Sequence, residues 1–476
     1  MGKRALYICF LLGVATATVG CGKLANTYKC RSTDPDVRIA GCTELIQNEW
    51  LTPQDLSVAY NNRATAYSAK QNYNRAIQDF NQAIRLSPGY SAAYDGRGIA
   101  WYSLGLAHSN SKDYDLAIQD YSEAIRLSPP YAAAYYDRSL ALEARGIEED
   151  KTESYDRAIG SYNQAIQDFA QTIRLSPNSA SAWFGRGRTY DSLGYEGATA
   201  EDYEHAIQDY NQAIRLSPRD EVIYRYRALA FAQLGDYDRG IQDLNTAIRL
   251  SPKDAIAWLA RGASWEHKGD DGRAIQDFDE SIQLDPKGAF LYEARGEAWL
   301  LQSNLPAAVA DLEKAVSGAS SPRIAVGAAM MLHVAMKRQG RDDAHELARV
   351  AAAADLSQWP GPVLKFAMGK MTAGELMALA GNPRNARKIW QVCSANYFIG
   401  EEALFHDQRS AALARLQAAR DGCPKWDVDY LAALAELKRL GAPSAPAQMS
   451  SQTMPVQGPA SYPYRPDSGR EAAPDH

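Results

Sequence analysis

The chain has 476 residues, 46% of them hydrophobic and 23% charged, with a net charge of −6. It is long enough for several globular domains, and its charge forms no basic stripe, which argues against nucleic acid as a partner. Its alanine and its charged residues fit an all-α chain.

The first twenty residues read as an export signal. Lys3 and Arg4 are followed by an apolar, uncharged run from 5 to 20, too short to span a membrane comfortably. Ala17-Thr18-Val19-Gly20-Cys21 resembles a bacterial lipobox, which implies a lipid on Cys21, although Thr18 stands where a large aliphatic is usual. Ala15-Thr16-Ala17 also offers an ordinary cleavage site, so a soluble secreted form and an uncleaved anchor stay open. Without Lys3 and Arg4 the net charge becomes −8, two positive charges fewer than the −6 of the whole chain. Cys9 leaves with the signal, and five cysteines remain, an awkward number outside the cytoplasm. Acylation of Cys21 leaves two close pairs, Cys30 with Cys42 and Cys393 with Cys423, as candidate disulfides. Small buried thiols are the alternative.

Residues 21–56 form a lead-in. Asp36 to Asn48 has helical period, places Cys42 on the inner face and caps the helices after it.

From 57 to 322 one pattern is written seven times. Leu-Ser-Pro closes at Pro88, Pro129, Pro177, Pro218 and Pro252, and Leu-Asp-Pro closes at Pro286. The steps are 41, 48, 41, 34 and 34 residues, each 34 plus zero, seven or fourteen. Each unit reads as two helices. The first has an aromatic at its fourth position (Tyr60, Tyr94, Tyr135, Trp183, Tyr224, Trp258, Tyr292) and a small residue at its eighth (Ala64, Gly98, Ser139, Gly187, Ala228, Gly262, Gly296). The second answers with alanine or glycine and, four residues on, a large side chain (Phe80, Tyr121, Phe169, Tyr210, Leu244, Phe278, Leu312). Large against small at helical spacing is a core pattern, not a cofactor site. The seventh position is arginine every time: Arg63, Arg97, Arg138, Arg186, Arg227, Arg261 and Arg295. The second helix always carries an aspartate: Asp79, Asp120, Asp168, Asp209, Asp243, Asp277 and Asp311. An arginine at a helix contact needs a partner, so these residues predict an Arg–Asp ladder inside the stack. A row of arginines gripping an anionic ligand is the alternative, which the matched aspartates oppose.

Extra residues fall between the helices in repeats two to four, near 106–112, 147–160 and 195–201. Seven residues is about two helical turns and lengthens a hairpin without rotating its faces. The fourteen in repeat three predict a loop plus one heptad. Drift in a tolerant loop and a raised edge that meets a partner are both open.

From 323 to 441 the pattern blurs. Residues 323–338 and 342–354 read as helices joined at Gly340, and residues 393–426 fit the frame again with Gly400, Ala412, Leu416 and Pro424. Cys393 and Cys423 then lie at neighbouring ends of an antiparallel hairpin. Residues 427–440 make a capping helix, and the composition from 442 to 476 predicts a disordered tail.

The 34-residue period, the aromatic and small positions and the closing proline resemble the tetratricopeptide repeat (TPR) family. The resemblance implies an all-α solenoid of helical hairpins, a right-handed superhelix, with divergent C-terminal repeats. Trp359-Pro360, Cys393 to Gly400 and the closing helix resemble the tail of outer-membrane TPR lipoproteins of the NlpI kind, which act as periplasmic adaptors. That similarity implies a periplasmic scaffold without fixing its partners.

No metal-binding His spacing, phosphate loop or Gly-x-Ser-x-Gly elbow is present, so neither catalysis nor a metal or other cofactor is expected. In TPR stacks the inner groove is lined by the second, fifth, ninth, twelfth and thirteenth residues of each first helix. Here that implies Asp95, Tyr102, Tyr136, Glu143, Phe184, Arg188, Asp191 and Arg225, with Glu266, His267 and Glu293 further on. The lysines of pockets that clamp a chaperone's C-terminal carboxylate are missing. The sequence therefore predicts a non-catalytic adaptor of the bacterial envelope, held to a membrane by lipid, with a peptide or helix of another envelope protein in its groove. An assembly or targeting factor of the pilotin kind is the first alternative, which one dominant β-barrel or secretin partner would favour. A peptidoglycan-binding module is the second, which retention on purified cell wall would favour.

Overall fold

The computed structural model describes residues 27–47, 51–152, 154–197, 199–381, 386–425 and 427–442. Cys21, the signal and all of the tail but residue 442 lie outside them. The described residues form α-helices joined by turns, and none of these helices is long and apolar enough to cross a membrane. The helices are α1 (Pro35–Ile46), α2 (Pro53–Ala69), α3 (Tyr73–Leu86), α4 (Ser91–His108), α5 (Ser111–Leu127), α6 (Ala132–Lys151), α7 (Tyr155–Leu175), α8 (Ala180–Gly197), α9 (Ala200–Leu216), α10 (Glu221–Gln233) and α11 (Tyr237–Leu250). They continue with α12 (Ala255–His267), α13 (Asp271–Leu284), α14 (Ala289–Leu301), α15 (Leu305–Gly318), α16 (Pro322–Arg338), α17 (Ala344–Ala353), α18 (Gly361–Ala367), α19 (Ala373–Ala380), α20 (Ala386–Phe405), α21 (Arg409–Gly422) and α22 (Val428–Arg439). The chain divides into two compact units, residues up to Gly185 and residues from Arg186 onward.

Local chemistry sets the helix ends. Thr52, Asn72, Asp220, Asp236, Asp254 and Asp270 each cap the next helix by accepting a backbone N–H in its first turn. The turn from first to second helix needs one left-handed residue. Gly235 and Gly269 supply it at φ 75° and 77°, and Gln71 and Ser303 are held there at 58° and 61°.

In the first unit α1 to α7 pack as successive neighbours. Close approach rests on small residues facing large ones. A Cβ on Gly98 would lie 2.8 Å from Tyr121 Cε1, so only glycine fits under that ring. The extra residues of repeat three do not form a loop plus one heptad. They are shared between the helices: α6 has 20 residues and α7 has 21, each seven more than the 13 of α12 and the 14 of α13. The added heptads duplicate the core. Gly146, seven residues after Ser139, faces Tyr162, seven before Phe169, and a Cβ there would sit 2.6 Å from Tyr162 Cε1. In repeat two Gly105 meets Tyr114 in the same way.

The second unit repeats the scheme. Gly187 faces Tyr210 and Gly262 faces Phe278, while Gly194 meets Tyr203 in the lengthened hairpin of repeat four. From α15 onward, Leu312, Met330, Leu332, Trp359, Leu364, Tyr397 and Leu416 belong to one continuous buried cluster. Gly400 faces Leu416, with a Cβ placed 2.8 Å from Leu416 Cγ, so hairpin α20–α21 uses the same eighth-to-twenty-fourth contact as the repeats. Cys30 and Cys42 form a disulfide with Cα atoms 4.5 Å apart, joining the lead-in to α1. Cys393 and Cys423 form a second, 5.2 Å apart at Cα, joining α20 to the end of α21.

Candidate functional site

Two sets of side chains recur along the first helices, the seventh-position arginines and the residues at the positions that line the groove of TPR proteins. In the inner row of the first unit, Arg63 donates from Nε and Nη2 to the two oxygens of Asp79 at 2.7 and 2.8 Å. Arg97 holds Asp120 and Arg138 holds Asp168 by the same fork. In the second unit Arg186, Arg227, Arg261 and Arg295 hold Asp209, Asp243, Asp277 and Asp311. The remaining nitrogen reaches back one repeat. Nη1 of Arg97 donates to Asn81, of Arg138 to Ser122, of Arg227 to Asn211, of Arg261 to Asn245 and of Arg295 to Asp279. Each acceptor stands two residues after the aspartate of the preceding repeat. Arg63 reaches Thr43 on α1, so the lead-in helix is tied on by the same device.

The fourth-position aromatics cover this row. Their rings lie 4.7 to 5.8 Å from the guanidinium carbons of Arg63, Arg97, Arg138, Arg227, Arg261 and Arg295. Trp183, Tyr224, Trp258 and Tyr292 also donate to the carbonyl of the helix-closing proline six residues earlier. The arginines are thus spent within the stack. Burial lifts the Asp120 and Asp209 carboxyls above the usual carboxylate range even against Arg97 and Arg186. Such pairs fix geometry more than they add stability. The added heptad of repeat three copies the device: Arg145, seven residues after Arg138, donates to Ser161 at 3.1 Å and pairs with Asp115 at 3.0 Å.

The residues at the groove positions are mixed in exposure. In the first unit Tyr102, Tyr136 and Phe184 are half-buried, with Tyr102 against Tyr114 and Tyr136 edge-on to Phe169. Asp95 is only 8% exposed and Glu143 only 2%, which removes both from any freely open surface. Asp95 accepts from the Tyr131 hydroxyl at 2.6 Å, and burial raises its pKa. Burial, with the Asp95 charge added, pushes the neighbouring Asp137 to about 7. In the second unit Arg188 is half-buried. Asp191 keeps some exposed surface, but its carboxyl is enclosed and accepts from the Tyr210 hydroxyl, and burial pushes it to about 8. Arg225 is 3% exposed and pairs with Asp254 at 3.2 Å. His267 stacks on Tyr237 at 5.3 Å. Glu297 of α14 feels the charges of Glu293 and Glu266 and those of Asp429 and Asp427 at the start of α22, an encounter that the helical pattern of 427–440 does not signal.

Among the described residues one group has metal-ligand geometry. Cys393, Cys423 and Asp427 bring ligand atoms within 4.8 Å of one another, but both sulfurs are taken by the disulfide.

The chain matches the family described as "Tetratricopeptide repeat" over residues 226–289, and again over 57–90 and 98–131, and the one described as "TPR repeat" over 200–235. It is a tetratricopeptide repeat protein. No curated protein matches this TPR chain in sequence. Solved structures similar to it include a tetratricopeptide repeat protein from Parabacteroides merdae, at 18% identity and TM-score 0.40, covering 58% of this chain and 96% of that one. YrrB, described as a TPR protein with an unusual peptide-binding site, gives 18% identity and TM-score 0.32 over 44% of this chain and 94% of its own. PilF of Pseudomonas aeruginosa gives 15% and 0.35 over 49% and 94%. TPR architecture is that of a protein-interaction scaffold.

Proposed function

We propose that this TPR protein is a non-catalytic adaptor of the bacterial cell envelope. It is exported by its first twenty residues, anchored by a lipid on Cys21, and binds a peptide or helix of another envelope protein along its concave row. The observation that carries the reading is the pairing of Cys30 with Cys42 and of Cys393 with Cys423, with no free cysteine among the described residues. Disulfides persist in oxidising compartments, and the pairing leaves Cys21 as the odd cysteine of the mature chain. In the first unit the half-buried Tyr102, Tyr136 and Phe184 support the binding row, because aromatics are usual anchors of protein contacts. The inner arginines do not serve it, since each is forked onto an aspartate.

The test has two arms. Intact mass of the mature protein from envelope fractions should show a lipid on an N-terminal Cys21 and a gain of four hydrogens on reduction, two for each disulfide. A chain beginning at Thr18, or one carrying free thiols, would overturn the anchor. A photo-crosslinker at Tyr136 or Phe184 should capture envelope proteins that one at Gly160, on an open helix face, does not. Equal capture from both positions would remove the groove from the reading.

A further inference from the structure

In repeats one, four, five and six the ring at the eleventh position of the first helix is covered by its own hairpin. The cover is the residue just before the small residue of the second helix. Arg75 lies over Tyr67 at 5.8 Å, Arg239 over Phe231 at 4.4 Å and Arg273 over Trp265 at 3.6 Å, and His205 stands against Tyr190 at 5.0 Å. In the second repeat the ring is Trp101 and the residue in the covering place is Leu116. Leucine has no charge to hold over the ring, and Leu116 is left 37% exposed. Among the described residues Trp101 has no ring partner, no cation over it and no acceptor for its indole N–H. Trp101 and Leu116 line a cavity of about 780 Å³ between α3, α4 and α5 of the first unit.

The charges in its wall are spent on one another. Arg97 forks onto Asp120 and donates to Asn81, and Arg126 donates from Nε to Glu123 at 2.7 Å. Two arginines and two carboxylates, each paired, leave neither an anion nor a cation an uncompensated counter-charge. Ser122 is engaged as well, donating to the carbonyl of Ile118 and accepting from Arg138. What stays unpaired among the described residues is neutral: the Tyr94 hydroxyl, the Trp101 indole N–H and the Gln119 amide. The walls are helices, whose backbone groups bond within the helix, so no strand edge is offered to an extended peptide.

Two aromatic rings on α4, an exposed leucine and neutral hydrogen-bonding groups suit a ligand with an apolar face and an uncharged polar rim. A pyranose is such a molecule: its C–H face lies against a ring, and its hydroxyls both donate and accept. We propose that the cavity of the second repeat is a saccharide site, taking a short uncharged glycan with one pyranose against Trp101 and Leu116. Its volume falls in the range of small-molecule sites, about 300–1,000 Å³. Tyr102, Tyr136 and Phe184 do not line it, so the site is separate from the row of the proposed function, and either can fail without the other.

Calorimetric titration of the full chain with cellotriose, maltotriose and triacetylchitotriose tests this. At least one of the three should bind at a single site. Leu116→Arg restores the covering arginine of repeats one, five and six, and should abolish binding while the melting temperature holds. Trp101→Ala removes the platform and should weaken binding about tenfold. Trp101 also packs against the buried cluster of Ala117 and Tyr121, so if that variant fails to fold by circular dichroism, Leu116→Arg carries the test alone. No binding of any of the three sugars at millimolar concentration would overturn the site, as would binding that Leu116→Arg leaves unchanged. A response to acetyl-Leu-Ala-Leu-amide and to none of the sugars would assign the cavity to a peptide and equally overturn the inference.

Discussion

Arg227 donates from Nη1 to Asn211 Oδ1 at 2.5 Å, and so ties the first helix of one repeat to the second helix of the repeat before it. Its other nitrogens fork onto Asp243 in its own repeat. One side chain therefore sets the spacing of three helices, α9, α10 and α11. Asn211→Ala removes one charge-assisted hydrogen bond and should cost about 1–2 kcal/mol. Asp243→Ala leaves a largely buried guanidinium without its counter-ion and should cost more, roughly 2–4 kcal/mol. Urea denaturation gives both numbers. An unchanged melting temperature for Asp243→Ala would show that the ladder is not a structural element.

The lengthened hairpin of repeat three is built core, and two glycines in it make opposite predictions. Gly146→Ala places a methyl 2.6 Å from Tyr162 Cε1, an overpacking that should cost about 1–3 kcal/mol. Gly160→Ala, on α7, meets nothing within 4 Å and should stabilise by about 0.5–1 kcal/mol, because alanine loses less entropy in a helix. Thermal melts of the two variants decide between a packed heptad and a tolerant loop. If both are neutral, the added residues are not core.

The repeat itself was legible because a stacked hairpin must place large against small at one helical spacing, and the sequence writes that spacing seven times. The arginines and aspartates were legible as partners because a charge at a helix contact demands one. The back-reaching bonds to Asn81, Ser122, Asn211, Asn245 and Asp279 were not. Those acceptors sit on the second helix among polar residues that look like any solvated face, and only the arginine of the next repeat gives them a role. The heptads of repeat three look in the sequence like part loop, since Gly146 and Tyr162 flank a segment rich in charge. The meeting of α22 with Glu293 and Glu297 is a long-range contact set by how the C-terminal helices fold back. Neither helical period nor charge along 427–440 encodes it.

The disulfide between Cys30 and Cys42 closes a short loop that fixes the lead-in against α1. Its removal in Cys30→Ser, Cys42→Ser should free residues 27–47 first, because Cys42 and Leu45 are the buried residues through which α1 meets Ala59 of α2. A loop of this size contributes about 3 kcal/mol in the chain-entropy account. Hydrogen exchange should show the loss confined to α1 and the start of α2, with α6 and α7 unchanged. Loss of protection spread evenly through the first unit would mean that this bridge holds the stack rather than its end.

His333 of α16 lies buried between two carboxylates, with Nδ1 2.6 Å from Asp343 and Nε2 3.5 Å from Glu402. Burial alone would lower its pKa. The hydrogen bonds and charges of Asp343 and Glu402 outweigh burial and raise it. A raised folded-state value means that the stabilisation is fully present below the unfolded histidine pKa of about 6.5 and is lost as pH rises through the folded value. The ion pairs join α16 to the start of α17 and to α20, so they act on the C-terminal end of the second unit. His333→Asn should therefore be most destabilising near pH 5.5, and its gap from wild type should narrow toward pH 9. The buried carboxyls Glu293 and Asp429, raised to about 7, shift wild-type stability in the same direction, but they are present in both proteins and cancel in the difference. Urea melts of the two proteins across that range isolate the histidine, and a gap that stays constant with pH would show that His333 is neutral in the folded chain.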